Sequence, residues 1–246
     1  MWQTELANIR LRTVTGVFLA GIGLTGLAVQ LAAPELVGAS DSSVRQADID
    51  IAMAATLRLT ARGCETQVTG SGFALSFGSP AETVIVTNKH IVTDAIEAKV
   101  DQPIRPVVSP VLASSQSVDL GSVAPVGSIA LEISDAIPET GDFIAAIGHP
   151  GGHEARALES RVQLVTSGES WGQAARVMLF EAHLVPGFSG GPVIGADGGV
   201  VAIVSGYSES TGLGVAILAE DLETWLAAEP ADLYKFPPQA GPQCAE

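Results

Sequence analysis

The segment GFSGGPV, at residues 187–193, carries most of what this sequence predicts about fold and chemistry. Glycines around Ser189 are compatible with a tight surface turn, because glycine adopts the positive φ angles that turns need. They are also compatible with a nucleophile loop, in which an exposed hydroxyl attacks a carbonyl and backbone N–H groups bind the oxygen that becomes negative. The second interpretation requires a general base and an acid elsewhere in the chain.

Among the four histidines of the chain, His90 has the setting that best fits a general base. It lies in VIVTNKHIV, residues 84–92, a β-branched run typical of a strand that ends in a short turn. The alternative is a structural histidine. A triad also needs an acid that orients the imidazole and stabilises its charged form, and Asp119 is the best placed. Three other aspartates stay open as alternatives: Asp94, Asp101 and Asp135.

The chain order His90, Asp119, Ser189 is the order of the chymotrypsin fold, whereas α/β-hydrolases place the serine first. The segments around His90 and Ser189 resemble the matching motifs of trypsin-like serine proteases. Three further segments resemble bacterial members: GSGFAL at 70–75, TGDFIAAIGHPGG at 140–152 and GGVVAIVSG at 198–206. The resemblance is closest to the branch that contains the periplasmic heat-shock proteases and a membrane-anchored, disulfide-bridged subgroup. No PDZ-like segment is expected here.

This resemblance implies an all-β fold with two six-stranded antiparallel β-barrels and catalytic groups from both. Leucine and tryptophan at i, i+3 and i+4 spacing after the last strand predict a short C-terminal helix. An apolar helix is expected near the N-terminus. The expected boundaries are an export element at 1–39, a polar linker at 40–50, a protease domain at 51–228 and a tail at 229–246. Within the domain, barrel one covers about 51–138, barrel two about 139–218, and the helix 220–228.

The family pattern also implies roles for residues beside the triad. The backbone N–H groups of Gly187 and Ser189 are expected to form the oxyanion hole. His183 lies where the family places the floor of the primary specificity pocket, and a solvent-facing or structural histidine is the alternative. One strand segment is expected to pair with the substrate backbone as an added strand: Val204, Ser205 and Gly206.

The N-terminus has the pattern of an export signal. Arg10 and Arg12 precede an apolar run, residues 13–33, that is long enough at about 20 residues to span a bilayer. The small residues at 37–39 are suitable for cleavage after Ala39. A cleaved signal peptide and an uncleaved single-pass anchor both stay open, and the length of the run slightly favours the anchor. In either case the positive-inside rule places the protease domain outside the cytoplasm, membrane-attached or periplasmic or secreted.

Composition excludes some partners and cofactors. With 12 basic and 27 acidic residues the net charge is −15, and only 5% of residues are aromatic, so a nucleic-acid partner is not expected. Cys64 and Cys244 are too few for a zinc site, and no cofactor or metal is expected. Export into an oxidising space favours a disulfide between them, and two unpaired thiols are the alternative.

The sequence therefore predicts an exported serine endopeptidase that acts on polypeptides through an acyl-enzyme. A catalytically silent, protease-like domain that binds or senses peptides is the alternative. An esterase of the α/β-hydrolase class is more remote, because the chain lacks alternating helices. Nothing in the sequence indicates the oligomeric state.

Overall fold

Strands dominate the part of the chain that the computed structural model describes, which comprises residues 43–63, 67–78, 82–95 and 97–228. The predicted export element, the tail at 229–246 and both cysteines, Cys64 and Cys244, lie outside these residues. The elements in chain order are α1 (Gln46–Ala55), β1 (Thr56–Arg62), β2 (Gln67–Phe77), β3 (Glu82–Thr87), α2 (Lys89–Val92), β4 (Glu97–Val100), β5 (Val107–Ser114), β6 (Gly121–Val123), β7 (Ala130–Leu131), β8 (Phe143–Gly148), β9 (Arg156–Ser167), β10 (Arg176–Phe180), β11 (Pro192–Ile194), β12 (Val200–Ser208), β13 (Leu213–Leu218) and α3 (Ala219–Ala228).

The first barrel contains six antiparallel strands in the order β1-β4-β5-β6-β3-β2, and the pairing of β1 with β2 closes it. The short strand β7 adds to β2 in parallel. β1 and β2 approach closely at Gly72, where a Cβ atom would lie 2.6 Å from Leu59 Cδ1 and 2.8 Å from Val86 O. Inside the barrel, apolar side chains such as Leu59, Ile85 and Val100 are fully buried.

The second barrel is closed in the order β10-β13-β12-β11-β8-β9, and all its pairings are antiparallel. Its interior holds Ile144, Met178 and Phe180, which are nearly inaccessible to solvent. The predicted pair of six-stranded antiparallel barrels is confirmed. Several strands are buried on both faces: in β3, Ile85 packs inside the first barrel, whereas Val84 and Val86 pack in a different apolar cluster. Short continuous runs of Val and Ile are typical of strands buried in this way.

A third apolar cluster lies between the barrels. It combines Phe73 and Leu75 of the first barrel with Ile147 and Ile203 of the second. Side chains of α1 and α3 complete this cluster, so both helices pack where the barrels meet. Burial of this shared core fixes the cleft between the barrels, where the predicted site residues lie.

The polar linker predicted at 40–50 differs from the structure, because residues from Gln46 onward form α1. Ile49, Ala52 and Ala55 of this helix are buried in the cluster between the barrels. Its sequence, QADIDIAMAA, alternates polar and apolar residues at its start, which obscured the helical spacing. The linker prediction is therefore wrong for residues 46–50.

Two strands of the first barrel also differ from expectation. The sequence predicts a strand at 105–108, whereas β5 begins at Val107 and continues to Ser114. The sequence predicts no strand at Gly121–Val123, where the structure has the short strand β6. Three residues are too few for a detectable alternation, and the pairing of β6 with β3 and β5 defines it. The C-terminal helix was predicted correctly and is α3.

None of the helices in the described part of the chain has the length and apolar character needed to cross a membrane.

Candidate active site

His90 lies on the single-turn helix α2, directly after strand β3. Asn88 is still extended, at φ −82° and ψ 151°, and the chain turns into the helix after it. Ile91 and Val92 are buried and anchor this turn to the first barrel. The His90 side chain retains 46% of its accessible surface, so it projects from a fixed backbone into solvent.

Asp119 holds His90 by two hydrogen bonds. Its Oδ2 lies 2.8 Å from His90 Nδ1, and its Oδ1 accepts the backbone N–H of His90 at 3.0 Å. An ionised carboxylate can only accept, so the proton of a neutral imidazole resides on Nδ1. His90 Nε2 then carries a lone pair, which is the state that a general base requires.

The three alternative acids have surroundings that differ from those of Asp119. Asp101 forms ion pairs with Arg58 and with Lys99 Nζ, the latter at 3.5 Å. Asp94 and Asp135 are exposed on the surface. Within the described residues, none of the three contacts His90 by a hydrogen bond, whereas Asp119 does so twice.

Ser205 links the acid to the nucleophile. Its Oγ donates to Asp119 Oδ2 at 2.9 Å, and its carbonyl oxygen accepts the Ser189 hydroxyl at 3.3 Å. Among the described residues, Ser189 Oγ has no hydrogen bond to His90. In ligand-free enzymes the nucleophile–base bond often forms only with substrate bound, so this geometry is compatible with a resting site.

The loop that carries Ser189 is fixed to both barrels. The carbonyl oxygen of Ser189 accepts the backbone N–H of Ser71 at 2.8 Å, and the N–H of Gly190 donates to Val204 O at 2.8 Å. Gly187 O accepts Ser71 Oγ at 2.7 Å and His149 N–H at 3.2 Å. The loop requires glycine at Gly187, where φ is +108° and a Cβ would lie 2.1 Å from His149 O.

The backbone N–H groups of Gly187 and Ser189 have no acceptor among the described residues, although both residues are bonded through their carbonyl oxygens. A buried N–H without a partner costs free energy unless a ligand or water satisfies it. Two such donors beside a serine hydroxyl are the arrangement that stabilises a developing oxyanion.

His183 and Tyr207 contact each other beside this loop. His183 Nδ1 lies 3.2 Å from Tyr207 Oη, and the rings meet edge to face with centroids 5.2 Å apart. His183 is exposed, and the contact joins the start of the nucleophile loop to β12. The structure thus gives His183 a ring partner on the strand that continues from Ser205.

The three residues expected to pair with the substrate backbone have different surroundings. Val204 is buried, and its backbone N–H and C=O are engaged by Gly191 and Gly190. Ser205 is occupied by Asp119 and Ser189, as described above. At Gly206 a Cβ would meet nothing within 4 Å, so this residue borders open space.

Sequence reasoning missed the roles of two residues. Ser71 donates hydrogen bonds to the carbonyl oxygens of Ser189 and Gly187. It lies in the GSGF motif, whose resemblance to bacterial family members does not by itself indicate these contacts. Gln173 accepts the backbone N–H of Asp119 at 2.8 Å. No signal in the sequence links Gln173 to Asp119, because they lie on different barrels.

The model of the trypsin-like peptidase domain family matches residues 70–203. No curated protein is significantly similar to the chain in sequence.

Solved structures of proteases are similar in fold. The active form of the Rv3671c protease from M. tuberculosis superposes with a TM-score of 0.65 at 22% identity, covering 75% of this chain and 87% of that one. The HtrA-type protease AlgW, solved with a tripeptide, superposes with a TM-score of 0.64 at 24% sequence identity. The match covers 73% of this chain and 62% of that one. The serine endoprotease from Yersinia pestis superposes with a TM-score of 0.60 at 21% sequence identity. The match covers 73% of this chain and 64% of that one.

Proposed function

This chain belongs to the trypsin-like peptidase domain family, and on that premise we propose that it is an exported serine endopeptidase with Ser189, His90 and Asp119 as its catalytic triad. The observation that carries the proposal is the bidentate contact of Asp119 with the ring and backbone of His90, at 2.8 and 3.0 Å. This contact orients a histidine whose Nε2 has no hydrogen bond among the described residues and can accept a proton.

Acylation begins when Ser189 Oγ attacks the carbonyl carbon of a peptide bond and His90 Nε2 takes the hydroxyl proton. The carbonyl oxygen becomes negative and is bound by the N–H groups of Gly187 and Ser189. The tetrahedral intermediate collapses as His90 gives its proton to the leaving nitrogen. The C–N bond breaks, and the acyl group remains as an ester on Ser189.

Deacylation repeats these steps with water. His90 removes a proton from the water as it attacks the ester carbonyl, and the oxyanion is stabilised by the same two N–H groups. Collapse of the second intermediate returns the proton to Ser189 Oγ and releases the carboxylic acid. Asp119 stabilises the charged imidazole in both halves of the cycle.

The substrate backbone is proposed to lie along β12 after Ser205. The open space at Gly206 supports this, as does the absence of a neighbouring strand on the outer side of residues 205–208 in the described sheet. An extended peptide added to a strand edge gains main-chain hydrogen bonds, and its side chains alternate between two faces. His183 and Tyr207 would contact one of these side chains.

Two proposals rest on the sequence alone. The protease domain acts outside the cytoplasm, attached through residues 13–33 or released by cleavage after Ala39. Cys64 and Cys244 form a disulfide there, because the compartment is oxidising.

The second candidate function is a silent domain that binds peptides without cleaving them. The bond from Ser189 Oγ to Ser205 O, rather than to His90, is the observation that favours it. A mixed peptide library analysed by mass spectrometry separates the two functions. New termini that accumulate with enzyme concentration support a peptidase, whereas retention of intact peptides without cleavage supports the silent domain.

A further inference from the structure

The backbone of Asp119 is anchored by a side chain from the opposite barrel. Asp119 lies between β5 and β6 of the first barrel, and Gln173 lies between β9 and β10 of the second. Gln173 Oε1 accepts the Asp119 N–H at 2.8 Å. On the first-barrel side, Asn88 Nδ2 donates to Asp119 O at 2.9 Å. Both backbone polar groups of the acid are therefore bound by side-chain amides.

The loop around Gln173 is closed on itself. Gln173 N–H donates to Gly168 O at 3.0 Å, and Gly168 N–H donates to Ala175 O at 2.9 Å. A Cβ at residue 168 would lie 2.3 Å from Ala175 O, so only glycine permits this closure. A second bond between the barrels, from Ala174 N–H to Ser117 O at 3.1 Å, fixes the loop against the acid segment.

These contacts affect the Asp119 carboxylate, because that carboxylate must bind both the ring Nδ1 and the backbone N–H of His90 at the same time. A small rotation of the Asp119 backbone would lengthen the contact with the ring or with the His90 N–H. Catalytic geometry is sensitive to displacements of this size. The hydrogen bond from Ser205 restrains only the carboxylate end, whereas Gln173 restrains the backbone end.

We propose that Gln173 is a positioning residue of the triad, which acts by fixing the main chain of Asp119 from the second barrel. This inference rests on the proposed peptidase function. It implies that loss of the Gln173 oxygen slows the steps at Ser189 while leaving substrate binding unchanged.

The test compares Gln173→Met, which removes the acceptor at similar length, with Gln173→Glu, which keeps an acceptor oxygen. Gln173 lines a cavity of about 560 Å³, so a shorter side chain would leave room for a replacing water. In the full-length protein, Gln173→Met should lower kcat about 5- to 10-fold, the effect of one hydrogen bond, with KM changed less than about two-fold. Labelling of Ser189 by a fluorophosphonate should slow in parallel, and Gln173→Glu should restore both rates.

Gln163→Met is the matched control, since Gln163 is exposed on the same barrel and bonds to Glu181. Its rates should equal those of the wild type, and thermal unfolding should show all variants folded. Gln173→Leu, which also lacks an acceptor oxygen and fills most of the same space, replaces Gln173→Met if the latter does not fold. Wild-type rates in Gln173→Met, or equal losses in Gln173→Met and Gln173→Glu, would overturn the proposal.

A spectroscopic readout separates this inference from the proposed function. The Nδ1 proton of His90, which is hydrogen-bonded to Asp119, should give a far-downfield NMR resonance. It should broaden in Gln173→Met and persist in Gln173→Glu and Gln163→Met, whether or not the protein cleaves peptides. An unchanged resonance in Gln173→Met contradicts the positioning role, whereas an inactive wild type with the expected NMR pattern contradicts only the peptidase.

Discussion

Ser205 Oγ donates a hydrogen bond to Asp119 Oδ2 at 2.9 Å, and this bond crosses the cleft from the second barrel to the first. The same oxygen of Asp119 faces His90 Nδ1. Two donors from different barrels therefore converge on one carboxylate oxygen. Their convergence makes the position of this carboxylate depend on correct packing of both barrels.

Asp119→Asn should abolish most activity. An amide in this position presents a donor toward His90 or loses one of its two contacts, so the imidazole takes the wrong tautomer. We expect kcat to fall by about 10⁴-fold with little loss of stability. Steady-state hydrolysis of a peptide substrate measures this. Asp94→Asn, Asp101→Asn and Asp135→Asn serve as controls; if one of them is inactive and Asp119→Asn is not, the acid has been misassigned.

Gly187→Ala should inactivate the site through its backbone. The new Cβ would lie 2.1 Å from His149 O, so the loop must shift and its N–H groups lose their alignment. Loss of one oxyanion donor lowers kcat about 10²- to 10³-fold. Gly127→Ala is the matched control, because Gly127 has φ +71° but open space around it. Equal activity of the two variants would mean that residue 187 does not shape an oxyanion hole.

Ile49→Ala should destabilise the protein, because α1 packs into the cluster between the barrels. Ile49 is 3% exposed, whereas Ile51 on the same helix is 51% exposed. We expect a loss of about 2–4 kcal/mol in the free energy of unfolding for Ile49→Ala, and less than about 0.5 kcal/mol for Ile51→Ala. Denaturant unfolding gives both values. Similar stabilities would contradict the docking of α1.

The strands were largely predictable from the sequence, whereas α1 and β6 were not. Continuous Val- and Ile-rich runs such as those of β3 and β12 indicate buried strands without knowledge of their partners. The polar start of α1 resembles a linker in sequence, and its buried face, which includes Ile49, is visible only in the structure. β6 is too short to carry a pattern, and its partners β3 and β5 define it.

The same contrast holds at the site. Ser189 and His90 could be predicted because their motifs encode local backbone geometry. Asp119 was predicted from chain order, and only the structure distinguishes it from Asp101, which pairs with Arg58. Gln173 was not predictable, because its contact with Asp119 spans 54 residues and depends on how the barrels pack.

The proposed disulfide gives a direct chemical prediction. The native protein, purified from its source and analysed intact, should weigh about 2 Da less before reduction than after, one hydrogen for each sulfur of Cys64 and Cys244. Reaction of two thiols with a maleimide in the unreduced, unfolded protein would rule out the bridge.

N-terminal sequencing of the same sample shows whether the chain begins at Ser40 or retains the apolar run.

Labelling with a fluorophosphonate decides whether Ser189 is the nucleophile of this protein. Purified wild-type protein should react with a fluorophosphonate at a single residue, identified by peptide mapping as Ser189, and should lose peptide hydrolysis as the label accumulates. Ser189→Ala should remain folded, take up no label and lose about 10⁴-fold or more in kcat. Hydrolysis retained by folded Ser189→Ala, or labelling at another serine with loss of activity, would show that Ser189 is not the nucleophile.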